Sequence, residues 1–191
     1  MKLIRTYGKT AKEAERLLGQ IEGRSGTTTS RLEPAVKRMI AAVRREGDIA
    51  LRHYAERFDG LAPGASLRVS PEEMADAWKQ TPVELRKAMR TAAANIRRFA
   101  RLQMPRSWKR ISQGVELGQR CLPLASVGCY VPGGRYPLPS TLLMTTIPAQ
   151  VAGVERIAVV SPRPARETLA AAHLAGVKEL YRIGGAQAIA A

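Results

Sequence analysis

Residues 126–144 read SVGCYVPGGRYPLPSTLLM. The apolar run from Ser126 to Val131 suits a buried strand, and Pro132-Gly133-Gly134 ends it. A helical pattern resumes at Ser140 and continues to about Val151. The same grammar follows twice more. RIAVVS (156–161) leads to a helix from about Ala165 to Leu174, and ELYRI (179–183) leads into GGAQAIAA (184–191). Strands alternating with helices of this length predict βαβ units and a parallel sheet covered on both faces. The class is α/β.

Upstream, the first third reads as helices. TAKE (Thr10 to Glu13) has the spacing of a capping box. Pro34 suits the first turn of a second helix carrying Val36, Met39, Ile40 and Val43, which Gly47 can close. Asp48 can then cap a helix with Ile49, Leu51, Tyr54 and Phe58 that ends at Phe58-Asp59-Gly60. SLRVSPEE (66–73) predicts a short strand, then a helix capped by Ser70. Thr81 with Glu84 predicts another cap, before a long helix with Leu85, Met89, Ala93, Ile96 and Phe99 on one side. Its other positions are largely basic. Residues 105–124 read as extended, hairpin-like chain turning at Gly114. The division expected is a helical region, 1–124, and a sheet unit, 125–191.

Three parallel strands are few for such an architecture, and AQAIAA reads as the first turns of a helix. The pattern is that of the front of a longer protein, and an isolated piece of that kind is expected to expose a sheet face. The 191 residues carry 31 basic against 16 acidic side chains, a net charge of +15. Such a balance raises nucleic acid or an anionic ligand as partners. Against nucleic acid stand the lack of RNA-recognition aromatics and of helix-turn-helix spacing. No apolar run approaches the ~20 residues of a membrane span, and the first residues lack a signal-peptide pattern. A cytoplasmic protein is the expectation. Cys121 and Cys129 offer too few thiolates for a zinc site and read as small buried hydrophobes in neighbouring strands. His53 and His173 lie on separate helices without a paired base and read as structural.

In open parallel sheets, ligands bind beyond the carboxyl ends of the strands. Two glycine loops occupy that position, PGGRYPLPS after the first strand and GGAQ after the third. Glycines admit close backbone approach, and helix starts offer free N–H groups to phosphate. Arg135 adds charge, Tyr130 offers a ring to a base or ribose, and Gln187 offers an amide. Neither loop is GxGxxG, so plain strand–helix turns remain the other reading.

Together, GDIALRHYAERFDG (47–60), NIRRFARLQMP (95–105), VGCYVPGGRYPLPSTLLMTTIPAQVAGV (127–154) and YRIGGAQAIAA (181–191) resemble the amino-terminal half of a histidinol dehydrogenase. The resemblance covers about Pro34 to the end. It implies a Rossmann-like unit, here an incomplete βαβαβ, behind a helical amino-terminal part. It also implies an NAD- and zinc-dependent homodimer that oxidises L-histidinol to L-histidine through an enzyme-held aldehyde. By that resemblance Tyr130 and Gln187 match NAD-contacting residues. Gly133, Gly134, Gly184 and Gly185 match the loops that shape the pocket. The family's zinc ligands and its catalytic glutamate–histidine pair have no matching positions here, so no catalytic or metal residue is assigned to this span. A family relative acting on another small alcohol, a stand-alone basic nucleic-acid module and a half-protein pairing with a longer copy are the alternatives.

Overall fold

In the computed structural model, which describes residues 4–134 and 136–191, the apolar runs of the carboxyl-terminal third form one parallel sheet. Strands β3 (Ser126–Tyr130), β4 (Arg156–Val160) and β5 (Glu179–Tyr181) lie in the order β3-β4-β5. Cys129 pairs with Val159, and Val159 with Leu180. Helices α5 (Pro139–Val151) and α6 (Arg166–Ala175) are the crossovers, and α7 (Gly185–Ala190) follows β5. The α/β reading and the parallel sheet are as the sequence predicts.

The helical region builds the layers around that sheet. It comprises α1 (Ala11–Glu46), α2 (Asp48–Asp59), α3 (Pro71–Gln80) and α4 (Val83–Leu102). Helix α3 packs on α6, and α4 on α5. One apolar cluster joins Met74, Met89 and Ala93 to Leu142, Ile147, Val159 and Leu180. Leu142, Ile147 and Leu180 are fully buried, each contributing about 1.5–3 kcal/mol of apolar transfer. A second cluster sits on the opposite sheet face, where Val43, Leu51 and Ala55 meet Ile183 and Ala188.

Several local expectations are corrected. Thr10 makes no side-chain cap; its hydroxyl instead closes on the Arg5 backbone, accepting at 3.2 Å and donating at 3.0 Å. Pro34 starts no helix, because α1 runs through it; a proline there removes one backbone donor without forcing the chain apart. Gly47 ends α1 as expected, but it also caps α2, so Asp48 lies one residue inside. Ser70 does cap α3, accepting from Glu73 N at 3.2 Å. Thr81 does not cap α4. It is 2% exposed, and its hydroxyl donates back to Ala77 O at 2.7 Å, closing α3 instead.

The strand expected near Val69 is a single antiparallel bridge from Arg68 to Tyr181 at the β5 edge. Val69 N donates to Leu180 O and Arg182 N to Leu67 O. Phe99 faces solvent, and Ala100 takes the buried position in the last turns of α4. Cys129 is buried in β3, where burial raises its thiol pKa. Cys121 lies outside the strands and is half-buried, accepting from Gln119 Nε2.

Strands β1 (Trp108–Ser112) and β2 (Val115–Gln119) form the expected hairpin. Its two-residue turn has positive φ at both Gln113 and Gly114, the type I′ geometry that matches strand twist. All ten of its strand residues are exposed.

Candidate functional site

The strand ends bring three loops together. β4 is the central strand, so the loop after it lies between the two glycine loops. Its Pro162 ring is the wedge. A Cβ on Gly133 would come within 2.8 Å of Pro162 Cγ, and one on Gly184 within 2.8 Å of both Pro162 Cβ and Cγ. Only hydrogen fits on either side of that ring.

Hydrogen bonds fix the third loop from two directions. Gly185 N donates to the Tyr130 hydroxyl at 3.1 Å, tying the end of β3 to the start of α7. Gly184 N donates to Asp59 Oδ2 at 2.9 Å, tying the same loop to the end of α2. Gln187, in the first turn of α7, folds its amide back over Gly185. A Cβ there would meet Gln187 Oε1 at 2.5 Å, and Gly185 has φ +65, so this position suits glycine twice over. Gln187 is only 2% exposed, and its amide makes no hydrogen bond to any described group.

Of the residues singled out from sequence, Tyr130, Gly133, Gly184, Gly185 and Gln187 therefore meet in one network. Gly134 stands apart, exposed on its loop, its nearest contact the Tyr136 carbonyl at 3.6 Å. Arg135 lies outside the described residues. His53 and His173 are exposed on α2 and α6, the latter tilted against Trp78 at 6.1 Å.

Sequence reasoning missed Asp59 and Pro162. Asp59 did carry a signal. It is the last residue of α2, where the helix dipole disfavours a carboxylate, and it is 7% exposed. An acid kept in such a place answers to something outside its own helix. Pro162 gave none, since Ser-Pro after a strand is an ordinary turn.

Below the network, the sheet edge carries a second polar cluster. Arg156 Nε donates to Glu179 Oε1 at 3.0 Å and Nη2 to Oε2 at 2.8 Å, and the Tyr181 hydroxyl adds a bond at 3.1 Å. These bonds, Arg156 first, hold the Glu179 carboxyl below the ordinary glutamate range. Burial raises the Tyr181 hydroxyl pKa, and the Glu179 bond adds to it.

A cavity of about 400 Å³ opens between the β3–α5 and β4–α6 loops, sharing Gly133 and Pro162 with the network. Among the described residues no group of three or more His, Cys, Asp or Glu could hold a metal ion. The described residues thus do not fit zinc.

A parallel sheet with interlocked glycine loops at its carboxyl end is an α/β architecture in which ligands bind beyond the strand ends. Comparison with known proteins is more specific. The sequence profile of the histidinol dehydrogenase family matches residues 22–191, and the chain belongs to that family. It is 49% identical over 160 residues to the histidinol dehydrogenase of Methanothermobacter thermautotrophicus, covering 80% of this chain and 37% of that protein. It is 43% identical over 189 residues to that of Prochlorococcus marinus, covering 94% of this chain and 42% of the relative. The crystal structure of histidinol dehydrogenase from Elizabethkingia anophelis superposes with a TM-score of 0.77 at 33% identity. It covers 83% of this chain and 38% of that one. The chain spans about two-fifths of the length of the relatives it matches.

Proposed function

We propose that this chain is the amino-terminal part of an NAD-linked enzyme that oxidises L-histidinol to L-histidine, and that its contribution is half of the dinucleotide pocket. The observation that carries this is Gln187. Its side chain is 2% exposed and its amide makes no hydrogen bond to a described group, which leaves its polar atoms to water or to a ligand. It sits beside the Tyr130–Gly185 link, where the glycines leave space for a ligand to approach backbone. NAD, when bound, accepts the hydride of the alcohol. Gln187 supplies an amide donor and acceptor to it, and Tyr130 supplies one ring face. The Gly133–Pro162–Gly184 stack holds the two loops at a fixed separation, so the pocket is formed before binding.

Zinc and the proton-accepting base belong, in this reading, to parts of the family's length that this chain does not span. The division of labour follows the chain: 125–191 carries the pocket, while 1–124 buttresses it through α3 and α4 on one face and Asp59 on the other. A cytoplasmic homodimer is the setting that the family reading implies. Among the described residues, no helix is long and apolar enough to cross a membrane.

The charge does not favour the nucleic-acid alternative. Most of the basic side chains of α4 are engaged locally. Arg86 and Arg90 lie over the Trp78 ring at 5.8 and 5.2 Å, Lys87 pairs with Glu84 at 3.1 Å, and Arg97 reaches Gln150.

The test is calorimetric titration of the chain with NAD. Binding is expected, with Gln187→Ala weakening it by about tenfold, the loss of roughly one well-made hydrogen bond. No binding to a folded wild-type chain, or equal affinity in the variant, would sink the reading.

A further inference from the structure

Trp78 gathers cations around one half-buried ring. Arg86 and Arg90, a turn apart on α4, hold their guanidinium carbons over it at 5.8 and 5.2 Å. The His173 ring of α6 lies tilted against it at 6.1 Å. Like charges at that helical spacing repel, and the indole offsets this by attracting each guanidinium. It supplies no lone pair to their N–H edges.

Those edges are unused. Neither guanidinium donates a hydrogen bond or pairs with an acid among the described residues. Arg86 Nε is the one fully buried side-chain nitrogen or oxygen, among those residues, that lacks a hydrogen-bond partner. Buried polar atoms are normally paired, and a charged group is the costliest to leave without a partner. The acids of the surrounding helices are already taken. Lys79 holds Asp76 at 3.1 Å, Lys87 holds Glu84 at 3.1 Å, Arg166 holds Glu167 at 3.8 Å, and Arg182 holds Glu73. With 31 basic against 16 acidic residues, the chain has no surplus of carboxylate to offer.

The chemistry of the missing acceptor follows from the donors. A guanidinium presents a planar fork that a carboxylate meets with two parallel hydrogen bonds. Two forks beside a tryptophan have the composition of an interface anchor. A nucleic-acid base is a poorer occupant, because it needs an open aromatic face and this ring already has three neighbours. The cluster is also remote from the glycine loops. Helix α6 starts beside them, since Ala165 and Gly133 line one cavity, whereas His173 is in its last turn.

We propose that Trp78, Arg86 and Arg90 form a docking point for an acidic protein segment, with an Asp or Glu carboxylate of the partner accepting from both arginines. Arg86 Nε then gains the acceptor it lacks, and the partner's charge relieves the repulsion between the two cations. The site is independent of the dinucleotide pocket and stands if that reading falls.

The probe is an acetylated hexaglutamate peptide, titrated at 0.15 M salt. Trp78 and Trp108 are the two tryptophans, so a Trp108→Phe chain emits from Trp78 alone and serves as the reference. The peptide is expected to bind it and to change that emission. Arg86→Gln and Arg90→Gln should each bind about tenfold more weakly. Arg90→Lys keeps the charge without the fork and should also lose affinity. Arg101→Gln removes the same single charge from the exposed end of α4 and should bind as the reference does.

No binding to the reference, or a loss at Arg101→Gln equal to that at Arg90→Gln, overturns the proposal. So does free glutamate binding as tightly as the peptide, which marks a small-molecule site. Tighter binding of a thymidine oligonucleotide of matched charge overturns it in favour of nucleic acid. Should Arg86→Gln not fold, Arg90→Gln decides, because Arg90 is exposed.

Discussion

The three strand-end loops and the β1–β2 hairpin are both short connections rich in turn residues, yet they are held in opposite ways. The ties that join the loops come from far along the chain: Asp59 on Gly184, Tyr130 on Gly185, Pro162 between Gly133 and Gly184. Every constraint on the hairpin comes from itself. Its turn is self-consistent, Lys109 and Glu116 pair at 2.7 Å across it, and all ten strand residues remain exposed. A pocket needs its shape set before a ligand arrives. That calls for the first kind of constraint, whereas the second specifies only a local conformation.

The contrast breaks most sharply at Gly184. Gly184→Ala places a methyl 2.8 Å from the Pro162 ring, which cannot retreat because Gly133 lies on its other side. Its φ of −132 is ordinary, so the cost is steric alone, about 1–3 kcal/mol of overpacking. Urea unfolding measures it. In a Pro162→Ala background most of that cost should vanish, as expected of directly coupled sites.

Asp59→Ala comes next. It leaves the Gly184 N–H buried without an acceptor, at about 1–3 kcal/mol, while Asp59→Asn keeps an acceptor oxygen and should lose less. If both variants unfold at the wild-type urea midpoint, the long-range tie is unimportant and the comparison fails.

A smaller effect is expected at the sheet edge in acid. Glu179 titrates below its ordinary value in the folded protein because Arg156 and Tyr181 bond its charged form. Its contribution is therefore complete above the unfolded glutamate value of about 4.3. It is lost as pH falls through the lower folded value. Thermal melts from pH 6 to pH 3 should show this limb, and Glu179→Gln should flatten it.

The smallest effect on the whole molecule is at Gly118. A Cβ there would lie 2.6 Å from the Trp108 carbonyl across the hairpin, closer than the 2.8 Å approaches to the Pro162 ring. Gly118→Ala should speed amide exchange between residues 108 and 119, yet leave global stability within about 0.5 kcal/mol. A large global loss would mean that the hairpin is not self-contained.

This contrast also marks what could be read in the residues alone. The strands, their order of appearance and the glycine loops were legible because apolar runs bounded by Gly and Pro are local signals. Tyr130, Gln187 and the glycine loops stood out by their place beyond the strand ends, the family resemblance marked six of these positions, and five of the six meet in space. What escaped depended on partners distant in the chain or on a choice between two nearby ones. Thr81 had a backbone acceptor behind it and a helix start ahead, and burial decided for the acceptor behind. Pro34 reads as a helix start only until continuation of α1 outweighs its one lost bond.

The Asp59–Gly184 bond spans 125 residues, and the core beneath it joins Val43, Leu51 and Ala55 to Ile183 and Ala188. The consequence is one of timing. During synthesis, α2 emerges with an apolar stripe whose covering residues are translated more than a hundred codons later. Until then that stripe lacks Ile183 and Ala188, and the loop that Asp59 holds cannot be fixed. Slow translation of the intervening segment would lengthen the exposure of that stripe without altering a single contact of the finished fold.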